Sequence, residues 1–83
     1  MSTKESFSNL LRSINESFIR DNIYYVNNNL IGRAMKNLEP ELQNKIYRNM
    51  PPARAEEVKK FLAETELSDE SVESAQREIL SMV

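Results

Sequence analysis

Apolar residues recur every three or four positions along the chain, which is the spacing of one face of an α-helix. No stretch alternates between apolar and polar residues as a half-buried strand does. The first apolar stripe contains four residues: Phe7, Leu10, Leu11 and Ile14. Ser2 precedes this stripe and Glu5 follows three residues later, a capping-box pattern that predicts a helix from about Thr3 to Ser13.

Asparagines separate the next two predicted helices. The side-chain oxygen of Asn15 can cap a second helix, and the asparagines at 27–29 predict the end of that helix and the cap of a third. The second stripe contains three aliphatic residues with Phe18 beside them: Ile19, Ile23 and Val26. The third helix is predicted from a denser apolar face: Leu30, Ile31, Ala34, Met35 and Leu38.

Prolines and a serine mark the last three predicted helices. Pro40 predicts the start of a fourth helix, because proline is tolerated at the first helical position. The pair Pro51–Pro52 predicts the end of that helix and the start of a fifth, and a sixth is predicted after Ser68. Their apolar faces are Leu42, Ile46 and Met50 in the fourth, Ala55, Val58, Phe61 and Leu62 in the fifth, and Val72, Ala75 and Ile79 with Met82 or Val83 in the sixth.

The fold class that follows is all-α. Each predicted helix is too short to persist alone in water, so the helices must be held together by mutual packing. We therefore predict one compact domain over residues 1–83, an array of about six short helices that resembles helical-repeat modules. Its N-terminal helix covers residues 1–13 and the remaining helical module covers residues 14–83.

The composition of the chain excludes most catalytic chemistry. The 83 residues include no histidine, no cysteine and one glycine, while 40% are hydrophobic and 29% are charged. The missing side chains rule out zinc fingers, histidine-activated nucleophiles, iron–sulfur sites and disulfides, and a single glycine cannot form a phosphate-binding loop. We therefore predict a protein that is not an enzyme and that has no cofactor and no metal site.

Charge is distributed unevenly along the chain. Residues 33–60 hold seven cations and four anions, residues 61–83 hold one cation and six anions, and the whole chain has a net charge of −2. Such a division can orient a charged protein partner. The residues predicted to bind that partner are five cations: Lys36, Lys45, Arg48, Arg54 and Lys60. Because the chain is acidic overall, we predict no binding to nucleic acid, and its short apolar runs predict no membrane insertion.

Four stretches of the chain carry a family resemblance. Residues 34–38 (AMKNL), 41–46 (ELQNKI), 49–50 (NM) and 72–80 (VESAQREIL) follow one another in a defined order and spacing. They resemble an A-L-K-G-A element, an E-L-R-E-K element, an N-M pair and a V-E-E-A-Q-K-x-I-L helix. These elements belong to the C-terminal region of FliG, the bacterial flagellar motor switch protein. The resemblance begins at Ile14, covers about four-fifths of the chain and identifies it as a fragment or a stand-alone paralogue.

The resemblance implies a fold, a partner and a location. The fold is an armadillo-like helical domain of the cytoplasmic rotor ring, and its activity is non-enzymatic contact with a flagellar rotor or stator component, or with another copy. The implied location is the cytoplasm, or the cytoplasmic face of the inner membrane. The lysine of the first element is Lys36, while the arginine after N-M falls at Ala53, next to Arg54. The two adjacent acids that serve torque generation in the family fall at Lys60 and Phe61.

A second hypothesis is a regulatory domain of the kind that gates magnesium channels. Residues 38–42 (LEPEL) resemble the L-x-P-E-x turns of those helical domains, in which acidic side chains hold divalent cations. The candidate ligands are four acidic residues that lie close together in sequence: Glu64, Glu66, Asp69 and Glu70. Titration with millimolar magnesium distinguishes the two hypotheses, because only the second predicts a shift in thermal stability.

Overall fold

Six α-helices lie within the part of the chain that the structure describes. The computed structural model describes residues 2–83, and no strand occurs among them. The helices are α1 (Thr3–Ser13), α2 (Glu16–Asn22), α3 (Asn28–Met35), α4 (Pro40–Tyr47), α5 (Pro52–Glu64) and α6 (Asp69–Leu80), with a 3-10 helix (Ile23–Tyr25) between α2 and α3. The radius of gyration is 11.6 Å, close to the roughly 12 Å of a packed domain of this length. The all-α, armadillo-like prediction is confirmed.

Polar side chains begin four of the helices where the sequence predicts it. The Ser2 hydroxyl accepts from the Glu5 backbone N–H at 3.1 Å, and the Asn15 side chain accepts from Phe18 N–H at 2.8 Å. Asn27 caps α3 in the same way at 2.7 Å, and Ser68 caps α6 at 3.1 Å. Each cap gives an acceptor to a backbone donor that has no partner within its helix. Pro40 and Pro52 occupy the first helical positions of α4 and α5.

The structure corrects three of the predicted helix ends. α2 does not continue through Val26, because residues 23–25 tighten into the 3-10 helix and Val26 is extended. α4 ends at Tyr47, but the Met50 side chain stays buried because its backbone N–H continues the turn to the Tyr47 carbonyl. α6 ends at Leu80, so the prediction that Met82 or Val83 completes its apolar face is wrong and both are exposed.

The core is centred on α3, which packs against both α5 and α6, while α1 packs against α6 and α4. Ala34 and Met35 of α3 are completely inaccessible to solvent. Around them lie the apolar stripes of the other helices, and most of the residues predicted from periodicity form one continuous cluster, while Ile19 and Val72 are buried outside it. Further side chains with almost no exposure are Phe7, Ile46, Val58 and Ala75.

Gly32 allows α3 and α5 to approach closely. A Cβ atom added at Gly32 would lie 2.7 Å from Cδ2 of the Phe61 ring, which is shorter than a van der Waals contact. The missing side chain therefore lets the Phe61 ring lie directly against the α3 backbone. This contact also explains why Phe61 is half-buried although it belongs to the charged fifth helix.

Candidate interaction surfaces

Lys45 of α4 is bound to the C-terminal end of α1. Its Nζ donates to the carbonyl oxygen of Leu11 at 2.6 Å and to that of Ile14 at 2.8 Å. The last carbonyls of a helix lack donors within the helix, and the helix dipole makes this end negative. The Lys45 ammonium group therefore caps α1 from a different helix.

Arg48 and Asn49 bind the first residue of α2. Arg48 makes a bidentate pair with Glu16, in which Nε lies 2.7 Å from Oε1 and Nη2 lies 3.1 Å from Oε2. The Asn49 side-chain amide donates to the same Oε1 at 3.0 Å. These hydrogen bonds, first from Arg48 and then from Asn49, lower the pKa of Glu16 to about 2. The pair also raises the pKa of Arg48.

Arg54 of α5 holds the segment that joins α2 to α3. Its Nε donates to Asn28 Oδ1 at 2.6 Å, and its Nη1 donates to the carbonyl of Ile23 at 2.7 Å. Its Nη2 makes a further short hydrogen bond to the carbonyl of Val26. One planar guanidinium group thus binds two carbonyls of the irregular backbone between α2 and α3 and the side chain of Asn28, the first residue of α3.

The remaining two cations of the predicted set are free of such contacts. Lys36 and Lys60 are exposed, and the side chain of neither has a hydrogen bond or an ion pair to another residue in 2–83. Lys36 lies beside residues 62–68 in a shallow cleft at the end of α5. The structure therefore separates the predicted set into three cations that bind this chain and two that face solvent. That any of the five binds a partner stays a prediction.

The acidic side chains of the sixth helix are open to solvent. The Glu73 carboxylate accepts from Arg77 at 2.7 Å and from Thr3 at 3.2 Å, and these hydrogen bonds lower its pKa. The four acidic residues of the magnesium hypothesis, residues 64, 66, 69 and 70, are all exposed. Between residues 2 and 83, no three carboxylates come together in a group that could hold a metal ion.

An apolar groove of about 440 Å³ lies between α1, α2 and the last residues of the chain. Its floor includes Leu11, Ile23 and Ile79, and its polar lining residue is Asn22. Four of the five large hydrophobic residues that are exposed in 2–83 line this groove: Phe18, Tyr25, Met82 and Val83. The sequence analysis did not predict the groove. The available signals were Phe18, which lies off the α2 stripe, and the adjacent tyrosines at 24 and 25, which cannot share one face of a helix.

The helix arrangement and the exposed charges define the class of this protein as a small, all-α, armadillo-like array. The family model described as "FliG C-terminal domain" matches residues 4–83. The chain therefore belongs to the FliG C-terminal domain family, as the four matching stretches indicated. No curated protein and no solved structure matches the chain.

Family membership defines the general role of the chain. The family comprises structural and interaction domains of the flagellar motor switch, which serves motility, and it is not a family of enzymes. A protein partner is therefore consistent with the fold. Each helix within residues 2–83 is too short or too polar to traverse a lipid bilayer.

Proposed function

We propose that the chain is a protein–protein interaction module of the flagellar motor switch type, which contacts a rotor or stator component through charged helix faces. The observation that carries this proposal is the family match over residues 4–83. The location proposed with it is the cytoplasm, at the cytoplasmic face of the inner membrane when a partner is bound there. The module binds and positions other proteins and carries out no reaction.

Lys36 and Lys60 are the cations proposed to touch the partner. Both are exposed and without an ion pair within residues 2–83, so their charges are available to a second protein. Lys45, Arg48 and Arg54 are proposed to act through the fold, because their charged groups already bind α1, α2 and the segment before α3. The partner surface that complements this one is acidic.

The positions that carry adjacent acids in the family have a different chemistry here. Lys60 is exposed and positive, while Phe61 packs against Gly32 of α3. A stator surface that presents cations to an acidic pair would therefore meet a lysine and a half-buried ring in this chain. We propose contact with an acidic partner surface, rather than the torque-generating contact that an acidic pair would make.

Charge reversal at the two free lysines tests the proposal. Lys36→Glu and Lys60→Glu, alone and together, should weaken co-purification with rotor or stator proteins from native cells about tenfold or more, and should reduce swimming. Far-UV circular dichroism should stay unchanged, because neither side chain has a partner within the fold. Lys4→Glu is the matched control, since it makes the same change in charge on α1, away from α5.

Two results would contradict the proposal. One is unchanged binding and swimming in the double variant. The other is a native interaction set that contains no rotor or stator protein. Reversal at Lys45 or Arg48 would be a poor test, because it would also release α1 or α2 from α4.

A further inference from the structure

The second helix, α2, has little apolar contact with the rest of the protein. Its one buried residue is Ile19, which lies outside the apolar core cluster. Within residues 2–83, α2 packs extensively against the 3-10 helix that follows it and against no other helix. A helix of seven residues is too short to persist alone in water, so α2 stays folded only while its contacts to the other helices hold.

The apolar groove leaves the inner side of α2 incompletely packed. Phe18 and Ile19 of α2 line this space of about 440 Å³, and Leu11 of α1 lines it from another side. An apolar side chain that borders an open space has no atoms to contact there. Apolar packing therefore stabilises α2 less than it stabilises α3, in which Ala34 and Met35 are completely inaccessible.

The residues on either side of α2 are fixed by cations from other helices. The carbonyl oxygen of Ile14, before α2, accepts from Lys45 Nζ at 2.8 Å. The carbonyl oxygen of Ile23, after α2, accepts from Arg54 Nη1 at 2.7 Å, and the Ile23 side chain belongs to the apolar core. Residues 15–22 therefore lie between two points that are held independently of α2.

The polar contacts of α2 between these points reach one place, the end of α4. Glu16 binds Arg48 and Asn49, and Arg20 lies 3.5 Å from the Asn49 side-chain oxygen. The side chains of Glu16 and Arg48 are 44% and 54% exposed, so water and salt reach their ion pair. An exposed ion pair contributes little free energy, so this contact can break while the core stays packed.

We propose that residues 15–22 form a strap, which opens and closes as a unit while the rest of the fold stays intact. The contact of Glu16 with Arg48 and Asn49 is the latch that keeps the strap closed. Opening is limited to these eight residues, because the carbonyls of Ile14 and Ile23 remain bound on either side.

The strap sets how much apolar surface this side of the molecule exposes. When it opens, Phe18 and Ile19 leave the groove, and the groove residues Leu11 and Ile46 lose part of their cover. Lys36 and Lys60 lie outside residues 15–22, so the strap and the partner proposed for those lysines can fail independently of each other.

Amide hydrogen exchange resolved by residue tests the strap on the full chain at pH 7. The amides of residues 19–22 should be protected at least about tenfold less than those of α3. Their exchange should depend weakly on urea, because opening of eight residues exposes little surface. Exchange in α3 should rise steeply with urea, because it requires unfolding of the whole protein.

Removal of the latch charge identifies what holds the strap. Glu16→Gln should accelerate exchange in residues 19–22 by about fivefold, with the weak dependence on urea retained. Glu73→Gln is the matched control, since Glu73 also pairs with an arginine and its side chain is 48% exposed, but it lies on α6. It should leave exchange in residues 19–22 within about twofold. Both substitutions are at exposed side chains, and circular dichroism verifies that the variants fold.

Salt gives a second measure of the latch. Raising sodium chloride from about 0.05 M to about 1 M screens the exposed pair of Glu16 and Arg48, so exchange in residues 19–22 should quicken relative to α3. The Glu16→Gln variant lacks the charge, so the same change in salt should leave this ratio unaltered.

Three results would overturn the proposal. One is equal protection and equal urea dependence in residues 19–22 and α3, which would mean that α2 opens only with the whole protein. Another is exchange that quickens together through residues 10–25, which would show that the carbonyls of Ile14 and Ile23 do not limit the opening. The third is the same exchange in residues 19–22 for Glu16→Gln and the wild type, which would remove the latch.

Discussion

Two regions of this molecule share one apolar core but differ in the polar contacts that hold them. The apolar centre, made of α3, α5 and α6, packs through inaccessible side chains such as Ala34, Met35 and Val58. The clasped segment, residues 11–28, includes the end of α1, all of α2 and the 3-10 helix. It is bound from α4 and α5 by Lys45, Arg48 and Arg54.

The difference follows from the backbone of each region. Three helices end within the clasped segment, and helix ends leave carbonyl oxygens without donors. The three cations lie at or near these places: Lys45 at the end of α1, Arg48 at the start of α2, and Arg54 at the turns before α3. In the apolar centre, the burial of apolar side chains is supplemented by Gln76 of α6, whose buried amide donates to the Ala34 carbonyl at 3.0 Å. In the clasped segment, Lys45 and Arg54 donate to backbone carbonyls, and Arg48 pairs with the carboxylate of Glu16.

The largest expected effect lies in the apolar centre. Met35→Ala should lower the free energy of unfolding by about 2–5 kcal/mol, because it leaves a cavity beneath a completely buried side chain. Urea denaturation measures the change. Met82→Ala is the matched control and should stay within about 0.5 kcal/mol, since Met82 is half-exposed and lies beyond α6. Similar losses for the two methionines would mean that the centre is not where the structure locates it.

The next largest effect belongs to Arg54. Arg54→Met keeps the length of the side chain but leaves the carbonyls of Ile23 and Val26 without their donor, so it should cost about 2–3 kcal/mol. Hydrogen exchange should quicken in residues 23–28 before it quickens in α3. Arg77→Met removes only an exposed pair on α6 and should cost less than about 0.5 kcal/mol. If hydrogen exchange in this variant quickened equally across the chain, the contacts of Arg54 would not stabilise the clasped segment locally.

Lys45 should matter less than Arg54. Lys45→Met removes the cap on two carbonyls of α1, at a cost of about 1 kcal/mol, because water can reach this helix end. The last turn of α1 should fray, visible as amide shifts confined to residues 10–14. Lys60→Met, on the exposed face of α5, should leave both stability and these shifts unchanged. Equal effects at the two lysines would contradict the distinction between the clasped segment and the free surface.

The smallest effect is one of pH. The Glu16 carboxylate has a folded-state pKa of about 2, below the ordinary 4.5, so its contribution to stability is complete above pH 4.5 and is lost as the pH falls towards 2. Glu16→Gln should remove this part of the acid sensitivity, while Glu57→Gln, a control on α5, should leave it in place. Thermal unfolding between pH 5 and pH 2 measures it. Identical pH curves for the wild type and the Glu16→Gln variant would show that the pair with Arg48 is not maintained in solution.

The apolar stripes and the helix caps were predictable from sequence, and the long-range contacts of the cations that hold the clasped segment were not. Caps such as Ser2 and Asn15 bind a backbone N–H three residues away, so they can be recognised from the local sequence. Lys45 and Arg54 reach residues 26 to 34 positions away, and nothing in their own neighbourhood distinguishes them from Lys60. The three-dimensional fold determines which of these cations form hydrogen bonds within the chain.

The groove escaped prediction for a related reason. A helical wheel drawn through residues 15–26 assumes one continuous helix, but the 3-10 turn at residues 23–25 changes the direction in which Tyr25 points. Phe18 and Tyr25 therefore meet at the mouth of the groove, an arrangement that the period of a single helix does not describe.

The reach of Arg54 has a consequence for synthesis of the chain. α1 and α2 leave the ribosome first. The hydrogen bonds from Arg54 to the segment after α2 can form only once residue 54 has been synthesised, 26 to 31 positions after the residues that it binds. At about 5–20 residues per second, this interval lasts seconds. During this interval, the apolar side chains of α1 and α2 cannot pack against a completed core, and a chaperone can bind them.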